Sequence, residues 1–153
     1  MKKFLIILIF LLAIILQTTA ISFNLVLILV LLLVILKDFK KVWWAVVLIG
    51  FFMDLFSGLP FGTISLSLVL SSYLIDWFNK TIFSATKFWM IIGLVSIGIF
   101  LYNLILILII FSYSGEFFDG LIVKMIIEVI YNSFLAIFIF YAIKKIFYQK
   151  ANA

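Results

Sequence analysis

The chain has no cysteine, no histidine and no arginine, and only one proline among its 153 residues. Without cysteine there is no disulfide, thiolate nucleophile or sulfur metal site, and nothing to infer about redox compartment. Without histidine there is no imidazole base or ligand, and without arginine no bidentate clamp for phosphate or carboxylate. These absences remove the usual machinery of hydrolysis, metal binding and phosphoryl transfer. No catalytic residue, metal ligand or cofactor is expected, and no nucleic-acid partner. Charge is scarce as well: charged residues make up 11% of the chain, against about 25% in soluble domains.

What abounds is apolar. Such residues form 69% of the chain, where roughly 45–50% is ordinary. The composition places the chain in a bilayer, with length for about six spans of roughly 20 residues and none for a separate soluble domain. Residues 1–153 are therefore read as one polytopic, all-α membrane domain. The predicted helices run from Phe4 to Leu16, Phe23 to Leu36, Val42 to Phe56, Phe61 to Phe78, Phe88 to Phe111 and Leu121 to Phe147. The stretch from Phe4 to Leu36 would extend about 50 Å as one helix, too long for an ordinary span. Gln17, Thr18, Thr19, Ser22 and Asn24 mark the turn that divides it.

Lysines orient the bundle. Lys2 and Lys3, then Lys37, Lys40 and Lys41, then Lys80 and Lys87, then Lys144, Lys145 and Lys150 all fall on one side when six spans are counted. By the positive-inside rule that side and both termini are cytoplasmic. The opposite side carries Glu116 and Asp119 and no lysine in any loop. A second reading takes Lys2 to Ala20 as a cleavable signal peptide, which would leave five helices in the same orientation.

The most informative stretch is Gly50 to Gly62, GFFMDLFSGLPFG, where an acid, a serine, three glycines and the proline interrupt the apolar runs. An acid at bilayer depth is costly and is a functional candidate by default. The residue types fit a helix reversal, with Gly58 ending one helix in a left-handed conformation and Pro60 near the first turn of the next. Gly62 is expected to allow close backbone approach. Asp54 is read in two ways: as a carboxylate stabilised by the N-terminus of the following helix, or as a group facing a partner or ligand. The helix from Val42 is expected to run about 22 Å to the turn, short of the hydrocarbon thickness, which sets the turn within the outer leaflet.

Other polar positions are fewer. Lys124 and Glu128 are spaced i, i+4 and can pair along a helix face, with Asn132 one turn further, and an Asp54–Lys124 pair across the bundle competes with that arrangement. Ser65, Ser67, Ser71 and Ser72, and Gly93 with Ser96 and Asn103, suit close helix packing and interhelical hydrogen bonds.

The pattern carried by Gly50, Asp54, Ser57, Gly58, Pro60 and Gly62, followed by a Ser- and Leu-rich helix, resembles the bacterial rod shape-determining protein MreD family. That resemblance implies a non-enzymatic scaffold or adaptor of the cell-elongation machinery in the bacterial inner membrane, acting in rod shape and peptidoglycan synthesis. Its implied partners are an MreC-like bitopic membrane protein, the elongation glycosyltransferase and transpeptidase and, indirectly, the MreB cytoskeleton. The same family is thought to share its bundle with the substrate-binding subunits of energy-coupling-factor transporters, so the alternative is a subunit of that kind for a small molecule. Against the alternative, Ala13 is followed at i+4 by Gln17, so the AxxxA packing motif of those subunits is missing, and no long loop follows the first helix.

Overall fold

The computed structural model describes residues 24–83, 88–115 and 121–148. The predicted helix Phe4 to Leu16 and the acids Glu116 and Asp119 lie outside them. The described residues form five α-helices: α1 Leu25–Lys37, α2 Phe39–Ser57, α3 Thr63–Phe78, α4 Phe88–Ser114 and α5 Leu121–Tyr148. A π-helical turn, Asn79–Phe83, prolongs α3.

α1 is the axis of the bundle. Its sequence, LVLILVLLLVILK, is apolar all round, and a helix of that kind is stable only when covered on every side. Val26, Ile28, Leu31 and Val34 project in different directions and are all fully buried. The other four helices each pack against it. α4 packs closely against it at Gly98: a Cβ there would lie 2.8 Å from Leu31 Cδ1 and 3.1 Å from Ile75 Cγ1. Gly98, and not the predicted Gly93, is thus the point of closest approach on α4, since nothing lies within 4 Å of a Cβ at Gly93.

The surrounding helices are apolar outside and finer-grained inside. α2 buries Val42, Val46, Gly50 and Asp54, a stripe spaced by four, and α3 buries Ser67, Ser71, Ser72 and Asp76 beside Ile64, Leu68 and Ile75. Outward lie Phe51, Phe52, Leu55, Phe56, Leu66 and Leu70, all exposed. Small and polar residues between helices with large apolar ones outside suit packing that gains nothing from excluding water. Among the described residues one helix, Trp89–Ser114 with 26 residues, is long and apolar enough to cross a membrane.

α1 and α2 meet in a one-residue elbow. Asp38 has φ +66° and ψ 140°, a left-handed backbone that disfavours any residue with a Cβ. The end of α3 holds the elbow in place: Asp76 Oδ1 accepts from the Phe39 N–H at 3.1 Å, Asn79 Nδ2 donates to the Ile35 carbonyl at 3.4 Å, and Lys80 lies 3.7 Å from Asp38 Oδ1. Because the elbow takes one residue, Phe39, Lys40 and Lys41 join α2, which reaches 19 residues and about 28 Å. This corrects the expectation of a helix of about 22 Å starting at Val42: α2 starts three residues earlier, at Phe39, and ends at Ser57.

Asp38→Gly and Asp38→Ala both delete the exposed pairs of Asp38 with Lys41 and Lys80, at 3.5 and 3.7 Å, so their difference isolates the backbone. The glycine variant is expected to be more stable than the alanine variant by about 1–2 kcal/mol. Thermal unfolding of the two purified proteins in one detergent checks this, and equal midpoints would show an unstrained elbow.

Candidate functional site

α2 and α3 form an antiparallel hairpin around the Gly50–Gly62 stretch. Ser57 Oγ accepts from the Leu59 N–H at 3.2 Å and donates to the Asp54 carbonyl at 3.1 Å. Gly58 then closes α2 in the left-handed conformation, φ +68°, as the sequence predicts. Pro60 lies two residues before the N-cap of α3, not in its first turn, and contributes a carbonyl that accepts from Thr63 Oγ1 at 2.6 Å and the Thr63 N–H at 3.2 Å. Gly62 is the N-cap at φ +95°. Nothing lies within 4 Å of a Cβ at Gly62, so its requirement is conformational, whereas the expectation was close approach.

Close approach belongs to Gly50. A Cβ there would come 2.8 Å from the Ser65 Cα, which is backbone and cannot turn aside. That contact brings α3 near enough for Asp54, one turn further along α2, to reach its N-terminus. Asp54 Oδ1 accepts from the Ile64 N–H at 2.8 Å, and Oδ2 accepts from the Ser65 N–H at 3.1 Å and from the Ser65 hydroxyl. Gly62 has no side chain to cap α3, so a carboxylate from the preceding helix satisfies its free N–H groups. The positive end of the helix dipole favours the buried charge.

The other end of the hairpin repeats this arrangement with the helices exchanged. Asp76, near the end of α3 and buried, accepts the first N–H of α2 at Phe39 and pairs with Lys80 Nζ at 2.6 Å. The hydrogen bond that Lys80 donates to Asp76, then the charges of Asp76 and Asp38, hold the Lys80 ammonium above its ordinary pKa of 10.5 against partial desolvation. The contribution is therefore complete below pH 10.5 and fades only as pH rises through the raised value.

A third acid sits at a third helix start. Asn24, the N-cap of α1, donates its side-chain amide to Glu128 of α5, and its backbone N–H donates to Asn132 Oδ1 at 3.1 Å. The predicted Lys124–Glu128 and Asp54–Lys124 pairs lie outside the described side chains, since that of Lys124 is not among them. Nearby, Ser96 and Ser133 join α4 to α5 through their hydroxyls at 2.8 Å. Among the described residues, Ser72 Oγ, Asn103 Nδ2 and Asn132 Nδ2 are buried without a hydrogen-bond partner.

No family model, curated protein or solved structure matches this chain.

The residues of the Gly50–Gly62 pattern thus converge on one hairpin turn, and each has a local mechanical task. Asp76 and Asn24 were not singled out in the sequence as partners of helix ends. A signal was present for Asp76: it lies 22 residues after Asp54 and just before Lys80, near the far end of the following helix. In chemical terms the site orders backbone. Its carboxylates accept hydrogen bonds from residues at helix N-termini.

Asp54→Asn would present an amide donor to groups that are themselves donors. It should lower stability by about 2–3 kcal/mol. Gly50→Ala should cost about 1–3 kcal/mol by forcing α2 from α3, while Gly93→Ala should be neutral or stabilising by up to about 1 kcal/mol. Unfolding midpoints of the three purified variants check this order. A Gly50→Ala protein as stable as Gly93→Ala would remove the basis for the close contact.

Proposed function

We propose that this protein is a non-enzymatic, multi-pass scaffold of the bacterial cell-elongation machinery, similar to the rod shape-determining MreD family. In this reading it forms a six-span bundle in the inner membrane with both termini cytoplasmic. The observation that carries the proposal is the hairpin turn. Gly50, Asp54, Ser57, Gly58, Pro60 and Gly62 are the residues on which the resemblance rests, and all of them act on the shape of one turn. A motif that fixes shape without providing reactive groups suits a protein whose task is to hold others.

The partner surface is then the outer face of the hairpin, and Asp54 supports it from behind. Phe51 packs edge-to-face against Phe52 and Phe61, with ring centroids 6.2 and 5.1 Å apart. Together with exposed Leu55 and Phe56 they make a firm aromatic ridge at the tip. An MreC-like bitopic protein, and through it the elongation glycosyltransferase and transpeptidase and the MreB cytoskeleton, are the partners proposed for this surface. The unpartnered buried atoms of Ser72, Asn103 and Asn132 favour the second reading, a small-molecule-binding subunit of an energy-coupling-factor transporter, because a bound polar molecule would satisfy them.

Affinity purification of the tagged chain from its native membrane in mild detergent, with mass spectrometry of the co-purifying proteins, separates the readings. The expected result is an MreC-like protein, whose recovery drops at least fivefold in a Phe56→Ala/Phe61→Ala variant of equal abundance. Recovery of ATPase subunits with a coupling membrane protein would replace the scaffold by the transporter subunit.

A further inference from the structure

The four tryptophans of the chain gather at one end of the bundle. Trp43 and Trp44 lie in the second turn of α2, Trp77 at the close of α3 and Trp89 at the start of α4, and all are more than half exposed. α3 with its π-helical extension reaches Phe83, and α4 begins at Phe88. The five Cα-to-Cα steps from Phe83 to Phe88 can bridge at most about 18 Å, so both helices have these termini at the same end. Just beyond the tryptophans stand Lys37, Lys40, Lys41 and Lys80, at the elbow and on the π-helical turn, all exposed.

These lysines divide into two kinds. Lys80 pairs with Asp76 at 2.6 Å and Asp38 at 3.7 Å, and Lys41 pairs with Asp38 at 3.5 Å. Both acids at this end are thereby engaged. Lys37 and Lys40 make no salt bridge among the described residues. Lys40 precedes Trp43 and Trp44 by three and four residues, so all three share one helix face. This end therefore offers uncompensated ammonium groups directly above amphipathic rings, with apolar side chains below them.

We propose that this end is a binding surface for anionic phospholipids, with Lys37 and Lys40 holding the headgroup phosphates and the tryptophans seated at the headgroup boundary. The surface rests on the membrane reading of the preceding subsection and adds a headgroup preference to it. Charge complementarity selects the occupant: a zwitterionic headgroup offers its phosphate together with an ammonium that repels Lys37 and Lys40, while an anionic one offers the phosphate alone. Basic residues next to a membrane surface gain affinity for anionic lipid in this way, and tryptophan is enriched at that depth. The ring of engaged acids keeps Asp38 and Asp76 from cancelling the two remaining positive charges.

Because every tryptophan lies at this end, the intrinsic fluorescence of the full chain reports on it without a label. The chain is reconstituted in vesicles containing brominated phosphatidylglycerol or brominated phosphatidylcholine at equal mole fraction, and quenching gives the relative affinity for each lipid. A preference for phosphatidylglycerol of roughly tenfold is expected, dropping to roughly twofold or less in Lys37→Gln/Lys40→Gln. Equal quenching by the two lipids would overturn the headgroup proposal and leave the membrane reading standing. Quenching by neither would overturn both. A preference abolished by millimolar inorganic phosphate, but not by chloride at the same ionic strength, would overturn it in favour of a site for free phosphate.

Discussion

A carboxylate placed at the N-terminus of another helix is the interaction on which this structure depends. The first N–H groups of a helix have no partner within it, and in apolar surroundings water cannot supply one. Asp54 meets that need for α3 and Asp76 for α2, while at α1 the Asn132 amide oxygen accepts from the Asn24 N–H and Glu128 holds the Asn24 side chain. The same contact settles the opposite problem, since an isolated buried carboxylate is costly unless hydrogen-bonded. Each partner would be a liability alone. Combined, they fix which helix ends meet, and hence the register of neighbouring helices.

Tight helix spacing makes these contacts geometrically possible. A carboxylate on a two-bond side chain reaches a neighbouring backbone only where the helices nearly touch, and Gly50 supplies that approach for Asp54. Serine follows the same logic on α3, where Ser67 and Ser71 return their hydroxyls to carbonyls of their own helix at 2.8 and 3.1 Å. They present small faces to the interior without leaving a donor unmet. At the centre, the bare surface of Gly98 receives Leu31 and Ile75. Large side chains are consequently displaced outward, which explains why phenylalanine is so prominent on the exterior.

Much of this was legible in the sequence, and the failures have physical causes. Helices after Phe23 appear close to the predicted bounds, because runs of Leu, Ile and Phe punctuated by Gly, Pro, Asn and Lys leave few alternatives. The Gly50–Gly62 turn was readable because its residue types are special for backbone reasons. The start of α2 was not, because it depends on Asp76 from a distant part of the chain and on an aspartate adopting a backbone more natural to glycine. Gly93 and Gly98 could not be ranked either: both lie in one apolar helix, and only the direction of Leu31 and Ile75 distinguishes them. The contact of Glu128 with the Asn24 side chain was likewise not readable, because it joins residues 104 positions apart in the chain.

The one-residue elbow between α1 and α2 has a mechanical consequence. A longer loop would let two helices tilt independently, but Asp38 leaves no slack, and the end of α3 grips both sides of the joint. A tilt imposed on α1 passes to α2 through the elbow and to α3 through the caps at both ends of the hairpin. These three helices therefore behave as a single lever. Any relative displacement inside the protein then falls where α4 and α5 meet that unit, at the Gly98 contact with Leu31 and Ile75 and at the Asn24 cap held by Glu128 and Asn132.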